Sequence, residues 1–324
     1  MTPSYFIGVD LGGTNIRAAR FTRQSHIPEA KTKRPTRGPG GPEAVYDRLE
    51  AAIREVAPAD LAEVAGVGIA IPGPTDPYQG IVLKAPNIPG WINLPLQQIM
   101  GQRLGRPVFL GNDANLAALG EWKFGAGQGH KDVLYLTIST GIGGGVISGG
   151  RLLLGARGLG AEVGHINLDP HGPQCGCGQY GHFESLASGT GIARTAQNRL
   201  QAGEGAGSKV MELAAGKIDQ VTSVMVGQAA LAGDEFARGL ITEAGEYIGL
   251  ALASLLHVYN PSIVIFGGGV SMLGDLLLEP ARQKVRQYAM SDAYWVDCPL
   301  VLAALGDDAG LVGAGALVME ETSH

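Results

Sequence analysis

The chain is short of several things that would fix its class. It holds three cysteines in 324 residues, which is no disulfide framework. Aromatic residues make up 6% and charged residues 17%, as in an ordinary folded chain with a sizeable core. A formal net charge of -6 argues against a basic nucleic-acid face. The basic run Lys31, Lys33, Arg34, Arg37 alternates with threonine before GPGGP and is read as a solvated strand end. No apolar run approaches the roughly 20 residues of a membrane span. The sequence opens on a strand with no basic or apolar leader, so a cytoplasmic location is expected. No GKS or GKT closes a Walker loop, and no GxGxxG opens a strand–helix–strand unit, which disfavours a dinucleotide fold.

What the chain has in excess is glycine, 51 residues clustered in short turns after apolar runs. SYFIGVDLGGTNIRAARF reads as two strands around a glycine turn, and a third strand is expected over His26–Lys33. PTRGPGGP is a loop, and 3.6-residue spacing predicts a helix over 43–56. Val64–Ile71 is a buried strand stopped by IPGP. The stretch 76–95 reads as loop, with Asn87 and Trp91 as cleft-lining side chains. Helices are expected over 96–104 and 112–121, with a short strand at 108–110 between them. The opening layout then repeats: a strand over 133–139, the turn TGIGGG, and a returning strand from Val146. Further helices are expected over 185–200, 209–215, 221–231, 234–259, 276–288 and 309–319, with a strand and a third glycine turn in NPSIVIFGGGV. This is an α/β chain with ligand sites at strand ends. The expected domains are 1–124 and a larger 125–308, with a last helix over 309–322 packing back onto the first.

Three constellations carry chemistry. Asp10 ends a buried strand, where a charge is costly unless it meets a metal or donors, and Gly12, Gly13, Thr14 and Asn15 follow with backbone and side-chain donors. Such a loop suits terminal phosphates and Mg²⁺, although a capped hairpin turn uses the same residues. Asn112 and Asp113 lie between a strand and a helix. Asp113 there is either an N-cap or a base that accepts a proton from a substrate hydroxyl, with Asn112 bonding another hydroxyl. Two of the three cysteines and three of the seven histidines crowd into GHINLDPHGPQCGCGQYGH. His165, Cys175, Cys177 and His182 make a closed tetrahedral set for structural zinc, with His171 as a spare. Glu162 and Glu184 flank that loop as acceptors. With Asn87, Asn112, Asp113 and His165 they would suit the vicinal hydroxyls of a sugar.

In this order DLGGTNIR, IPGP, APNIPGW, GNDAN, STGIGGGVI, GAEVGH, CGCGQYGHFE and FGGGV resemble the ROK family of sugar kinases, open reading frames and repressors, over nearly the whole chain. The resemblance implies a two-lobed, actin-like (ribonuclease-H-like) ATPase fold with its active site in the interdomain cleft. It implies phosphate segments at Asp10, Gly12, Gly13 and Thr14 and at Thr140, Gly141, Gly143 and Gly144, and an adenosine segment at Gly267, Gly268 and Gly269. Asp113 matches the catalytic base. Asn87, Asn112, Glu162, His165 and Glu184 match sugar ligands, with His165 using its second ring nitrogen for zinc. One position departs from the family pattern C-x-C-G-x₂-G-C-x-E: the third cysteine is His182. The repressor branch carries an N-terminal helix-turn-helix, and this sequence begins at the phosphate hairpin. The expectation is therefore an ATP-dependent glucokinase using ATP, Mg²⁺ and Zn²⁺, homodimeric or tetrameric, with no nucleic-acid or membrane partner. Kinases for N-acetylglucosamine, mannose, fructose or N-acetylmannosamine, and a non-catalytic sugar sensor, are the alternatives, and polyphosphate is an alternative donor.

Overall fold

The computed structural model describes residues 4–23, 25–38 and 40–322. Pro39 of the expected loop lies outside the described residues. Packing divides the chain into two units, 1–129 with 145–161 and 303–324, and 130–144 with 162–302.

The first unit opens on β1 (Tyr5–Leu11), β2 (Asn15–Thr22) and β3 (Ser25–Pro35), a meander with antiparallel register. After α1 (Ala44–Val56), β4 (Val64–Ile71) pairs parallel to β1. Then come β5 (Thr75–Asp76), β6 (Ile81–Lys84), β7 (Ile92–Leu94), α2 (Leu96–Leu104), β8 (Val108–Asn112) and α3 (Asp113–Phe124). The sheet order is β3-β2-β1-β4-β8. Ile7, Val9, Val67, Ile69, Leu49 and Ile53 form one continuous core between this sheet and α1. The 76–95 stretch is not the expected loop. β5, β6 and β7 form a small antiparallel sheet there, because Val82 is fully buried and the Pro77–Gly80 turn reverses the chain. Trp91 is core rather than cleft: it is 1% exposed, and its indole N–H donates to Pro42 O at 3.3 Å.

The segment 145–161, expected with the second domain, groups with the first because Gly145 leaves room for Ala114, Asn115 and Ala118 of α3. The two units are of near-equal length, not a small and a large one. The last helix, α10 (Ala309–Glu321 in chain order), packs on α3, β1 and β4, with Leu116, Leu119, Ala314 and Ala316 in one apolar cluster.

The second unit repeats the layout. β9 (Val133–Ile138) and β10 (Ile142–Ser148) are joined by the short turn Ser139–Gly141, and β11 (Arg151–Leu152) follows. Helices α4 (Phe183–Ala187), α5 (Gly189–Gln201), α6 (Lys209–Leu213), α7 (Ser223–Leu231) and α8 (Glu235–Tyr259) lead to β12 (Ile263–Gly267), α9 (Asp275–Tyr288) and β13 (Leu300–Leu302). The sheet order is β11-β10-β9-β12-β13, with β12 parallel to both β9 and β13. The division between units falls within β10. The single helix expected over 185–200 is two, because Ser188 is extended (φ -72°, ψ 168°) and its hydroxyl caps α5 by accepting from Gly191 N. β13 has no counterpart in the sequence reading. Among the described residues α8 is the one helix long and apolar enough to cross a membrane, and it is mostly buried against α7 and α9.

One charge is buried outright. Glu121 on α3 is 0% exposed. Its carboxylate accepts from Ala126 N (2.9 Å), Ala304 N (3.1 Å) and Leu305 N (2.7 Å). It thereby fastens the end of α3 to two segments far apart in sequence. Glu121→Ala strips three backbone amides of their acceptor and should lower the unfolding free energy by about 3 kcal/mol in denaturant titration.

Candidate active site

In the first unit the β1–β2 register sets Asp10 opposite Arg17, and the chain turns over Gly12–Thr14. The turn is held from outside: Thr36 N donates to Thr14 O at 2.8 Å, and the Thr36 hydroxyl to Gly12 O at 2.6 Å. Gly13 is required by a close approach, since a Cβ there would lie 2.5 Å from Cβ of Asn87. The phosphate-segment candidates Asp10, Gly12, Gly13, Thr14 and Asn15 thus share one hairpin, with exposed Asn87 against it.

At the end of β8, Asn112 rather than Asp113 caps α3. Its Oδ1 accepts from Ala114 N (3.0 Å) and Asn115 N (3.2 Å), and its Nδ2 donates to Gly73 O at 3.2 Å. Asp113, half-buried, is the first helical residue and accepts from Ala114 N at 2.9 Å.

In the second unit the Ser139–Gly141 turn carries Thr140 and Gly141, while Gly143 and Gly144 lie in β10. The start of α5 fastens it: Gly189 N donates to Ser139 O (2.7 Å), and Thr190 N and Oγ1 donate to Thr140 O (3.1 and 2.8 Å). A Cβ on Gly141 would overlap Oε2 of Glu184, so glycine lets that carboxylate reach Ile142 N at 3.1 Å. Gly267, Gly268 and Gly269 follow at the end of β12, the parallel neighbour of β9, with Val270 N donating to Ile138 O at 3.0 Å.

The histidine–cysteine loop is compact. One ligand atom each from His165, Cys175, Cys177 and His182 lies within 4.8 Å of the others. Cys175 Sγ is 3.8 Å from His165 Nδ1, and Cys177 Sγ is 3.3 Å from His182 Nδ1. Tetrahedral zinc, with bonds of about 2.0 Å to nitrogen and 2.3 Å to sulfur, spaces its ligand atoms about 3.5 Å apart. The donor set and spacing fit that ion, with His182 in the group. His171 is exposed, its N–H bonded to Asp169, and is not in the group. The loop is tied to Glu184, whose Oε1 accepts from Cys175 Sγ at 3.4 Å. Burial first, and the Glu184 carboxylate among lesser causes, pushes the Cys175 thiol up to about 11. Desolvation also raises Glu162, with His165 opposing and Glu184 adding to it. Cys298 is buried, and burial alone pushes its thiol up to about 11, so it is no nucleophile at neutral pH.

Two supporting residues escaped the sequence reading. Arg17 bonds Asp10, which counting across the hairpin would have shown. Arg194 on α5 donates to Gln174 O (3.0 Å) and Ser185 O, joining the metal loop to the helix that bears Glu184; no sequence signal marks a guanidinium bonded to carbonyls.

Glycine turns at the strand ends of two repeated sheets, a carboxylate at a helix start and a histidine–cysteine wall define an ATP-dependent sugar kinase of the actin-like ATPase fold. The chain belongs to the ROK family, whose model matches residues 6–321. A glucokinase of Thermotoga maritima is 40% identical over 314 residues, 97% of each chain. The crystal structure of a ROK family glucokinase from Streptomyces griseus in complex with glucose and AMPPNP has a TM-score of 0.82 at 38% identity, over 98% of this chain and 99% of that one. An N-acetylmannosamine kinase of Escherichia coli O157:H7 is 34% identical over 316 residues, 97% of this chain and 98% of its own.

A thiol held up to about 11 is protonated at neutral pH and must lose its proton to bind zinc. Zinc affinity should therefore rise by at least about tenfold per pH unit between roughly pH 6 and 8, where free thiols are mostly protonated. Competition with a chromophoric chelator measures this, and a flat profile would exclude Cys175 as a ligand.

Proposed function

We propose that this kinase phosphorylates glucose on its 6-hydroxyl, giving glucose 6-phosphate and ADP. The observation that carries the mechanism is the division of tasks at the start of α3. Asn112 takes the cap, and the Asp113 carboxylate beside it is assigned the role of general base. Asp113 accepts the 6-hydroxyl proton as that oxygen forms its bond to the γ-phosphorus and the bond to the bridging oxygen of ADP breaks. Asn87, Asn112, Glu162, His165 and Glu184 serve as hydroxyl partners that orient the ring. The turns at Gly12–Asn15 and Thr140–Gly144 offer backbone N–H groups to the phosphates, and Gly267–Gly269 receives the adenosine. Asp10 is the side chain that would meet Mg²⁺, an ion whose charge offsets that of the phosphoryl oxygens. His165, Cys175, Cys177 and His182 would hold a structural zinc; four protein ligands leave no open position for an activated water.

Glucose is favoured because the Thermotoga maritima relative is a glucokinase and the Streptomyces griseus structure holds glucose and AMPPNP, both aligned over nearly the whole chain. A second reading, phosphorylation of N-acetylmannosamine, is favoured by the 34% identical kinase for that sugar. Both use the same base and phosphate turns and differ in the room beside C2. We further infer a cytoplasmic homodimer with no nucleic-acid partner, in keeping with the net charge of -6.

Coupled measurement of ADP release with Mg²⁺–ATP across glucose, mannose, fructose and the N-acetylated hexosamines should give the highest kcat/KM for glucose. A higher value for N-acetylmannosamine would select the second reading, and no turnover on any sugar would point to a sensor. Asp113→Asn should lower kcat by about 10²- to 10⁴-fold. Calorimetric glucose affinity should fall far less, and an equal fall would remove Asp113 from the base role.

A further inference from the structure

The side chain opposite Asp10 is a cation held by more than one acid. Arg17 gives two bonds to one oxygen of Asp10, from Nη2 at 2.5 Å and from Nε at 3.0 Å, both to Oδ2. Asp10 Oδ1 has no hydrogen-bond partner among the described residues. The same guanidinium reaches the other way: Nη2 donates to Asp307 O at 2.6 Å and Nη1 to Asp308 Oδ1 at 3.2 Å. Asp308 is in turn gripped by Lys31, whose Nζ lies 2.7 Å from both carboxylate oxygens. The row Asp10, Arg17, Asp308, Lys31 alternates in sign across three segments of one unit. Arg17 and Asp10 are mostly buried, with side chains 22% and 21% exposed, while Asp308 is at 36%.

We propose that Arg17 tunes how strongly Asp10 attracts the nucleotide's divalent cation, and that Asp308 sets how much of the Arg17 charge Asp10 feels. Arg17 is a positioning residue: it steers Asp10 and competes with the cation for its charge. The inference rests on Asp10 being the acid that meets Mg²⁺. The geometry favours that role, because both Arg17 bonds converge on one oxygen and leave the other for a cation. Two opposite consequences follow. Removing Arg17 takes away a competing positive charge and should strengthen the cation's contribution. Removing the Asp308 charge leaves Arg17 to act on Asp10 undivided and should weaken it. A role confined to holding the hairpin together would move both variants in the same direction.

The test is calorimetric binding of AMPPNP, with excess Mg²⁺ and again with EDTA; the ratio of the two dissociation constants reports the cation's contribution without turnover. Arg17→Gln should raise the ratio about tenfold, the scale on which a neighbouring unit charge shifts a site. Asp308→Asn, at a more exposed and more screened position, should lower it about threefold. Arg17→Lys keeps the charge and should hold the ratio near that of the unaltered protein. Asp10→Asn separates the two layers of the argument. If it leaves the ratio unchanged, Asp10 does not meet the cation and that reading falls. If it collapses the ratio while Arg17→Gln and Asp308→Asn shift it together, or not at all, the tuning by Arg17 is overturned by itself. Should Arg17→Gln fail to fold, Asp308→Asn and Arg17→Lys still decide the matter, since Asp308 makes no side-chain cap for α10.

Discussion

The second unit is organised around one side chain. Glu184 takes the Ile142 amide at the glycine turn with one oxygen and the Cys175 thiol of the metal loop with the other. The glycine turn and the histidine–cysteine loop are therefore held by the same carboxylate. Several local choices follow from it. Gly141 must lack a side chain so that the carboxylate can approach. Ser188 must break the helix that bears Glu184, which lets α5 start afresh and bond the turn through Gly189 and Thr190. Arg194 fixes the far side of the same short helix to the loop. A carboxylate committed in two directions has little rotamer freedom left.

The first unit solves a similar problem with different means. Its glycine turn is tied by Thr36, and its charged residue, Asp10, is balanced across the hairpin by Arg17. Its buried acid, Glu121, holds chain segments rather than a ligand. Glu121 and Glu184 both take backbone amides as partners, which offsets the cost of removing a carboxylate from water. At two of its glycines the absence of a side chain is what allows a close approach: Gly13 to Asn87 and Gly141 to Glu184.

Much of this was legible before any coordinates. Strands with clear apolar runs and glycine stops, such as Val64–Ile71, and helices with regular spacing, such as Ala44–Val56, fall where the pattern puts them. The histidine–cysteine group was also readable, since rare residues crowded together narrow the choices sharply. What escaped was set by tertiary partners. β5, β6 and β7 are two to four residues long and exist because they pair with one another, which a local window of proline and glycine conceals. Trp91 looked like a cleft-lining aromatic because it lies in a stretch rich in proline and glycine, yet its indole finds a carbonyl 49 positions away and sinks into the core. The break at Ser188 hides inside a helix-compatible sequence, because serine serves as a cap only when its own backbone is extended. Asn112 and Asp113 are both good caps by type, and only the structure says which one takes the position.

That last arrangement bears on how such a scaffold can change over evolutionary time. Because the side-chain oxygen of Asn112 caps the helix, the cap itself does not depend on the acid beside it. Helix cap and proposed base therefore sit on neighbouring codons, so position 113 can change while the side chain that caps α3 is kept.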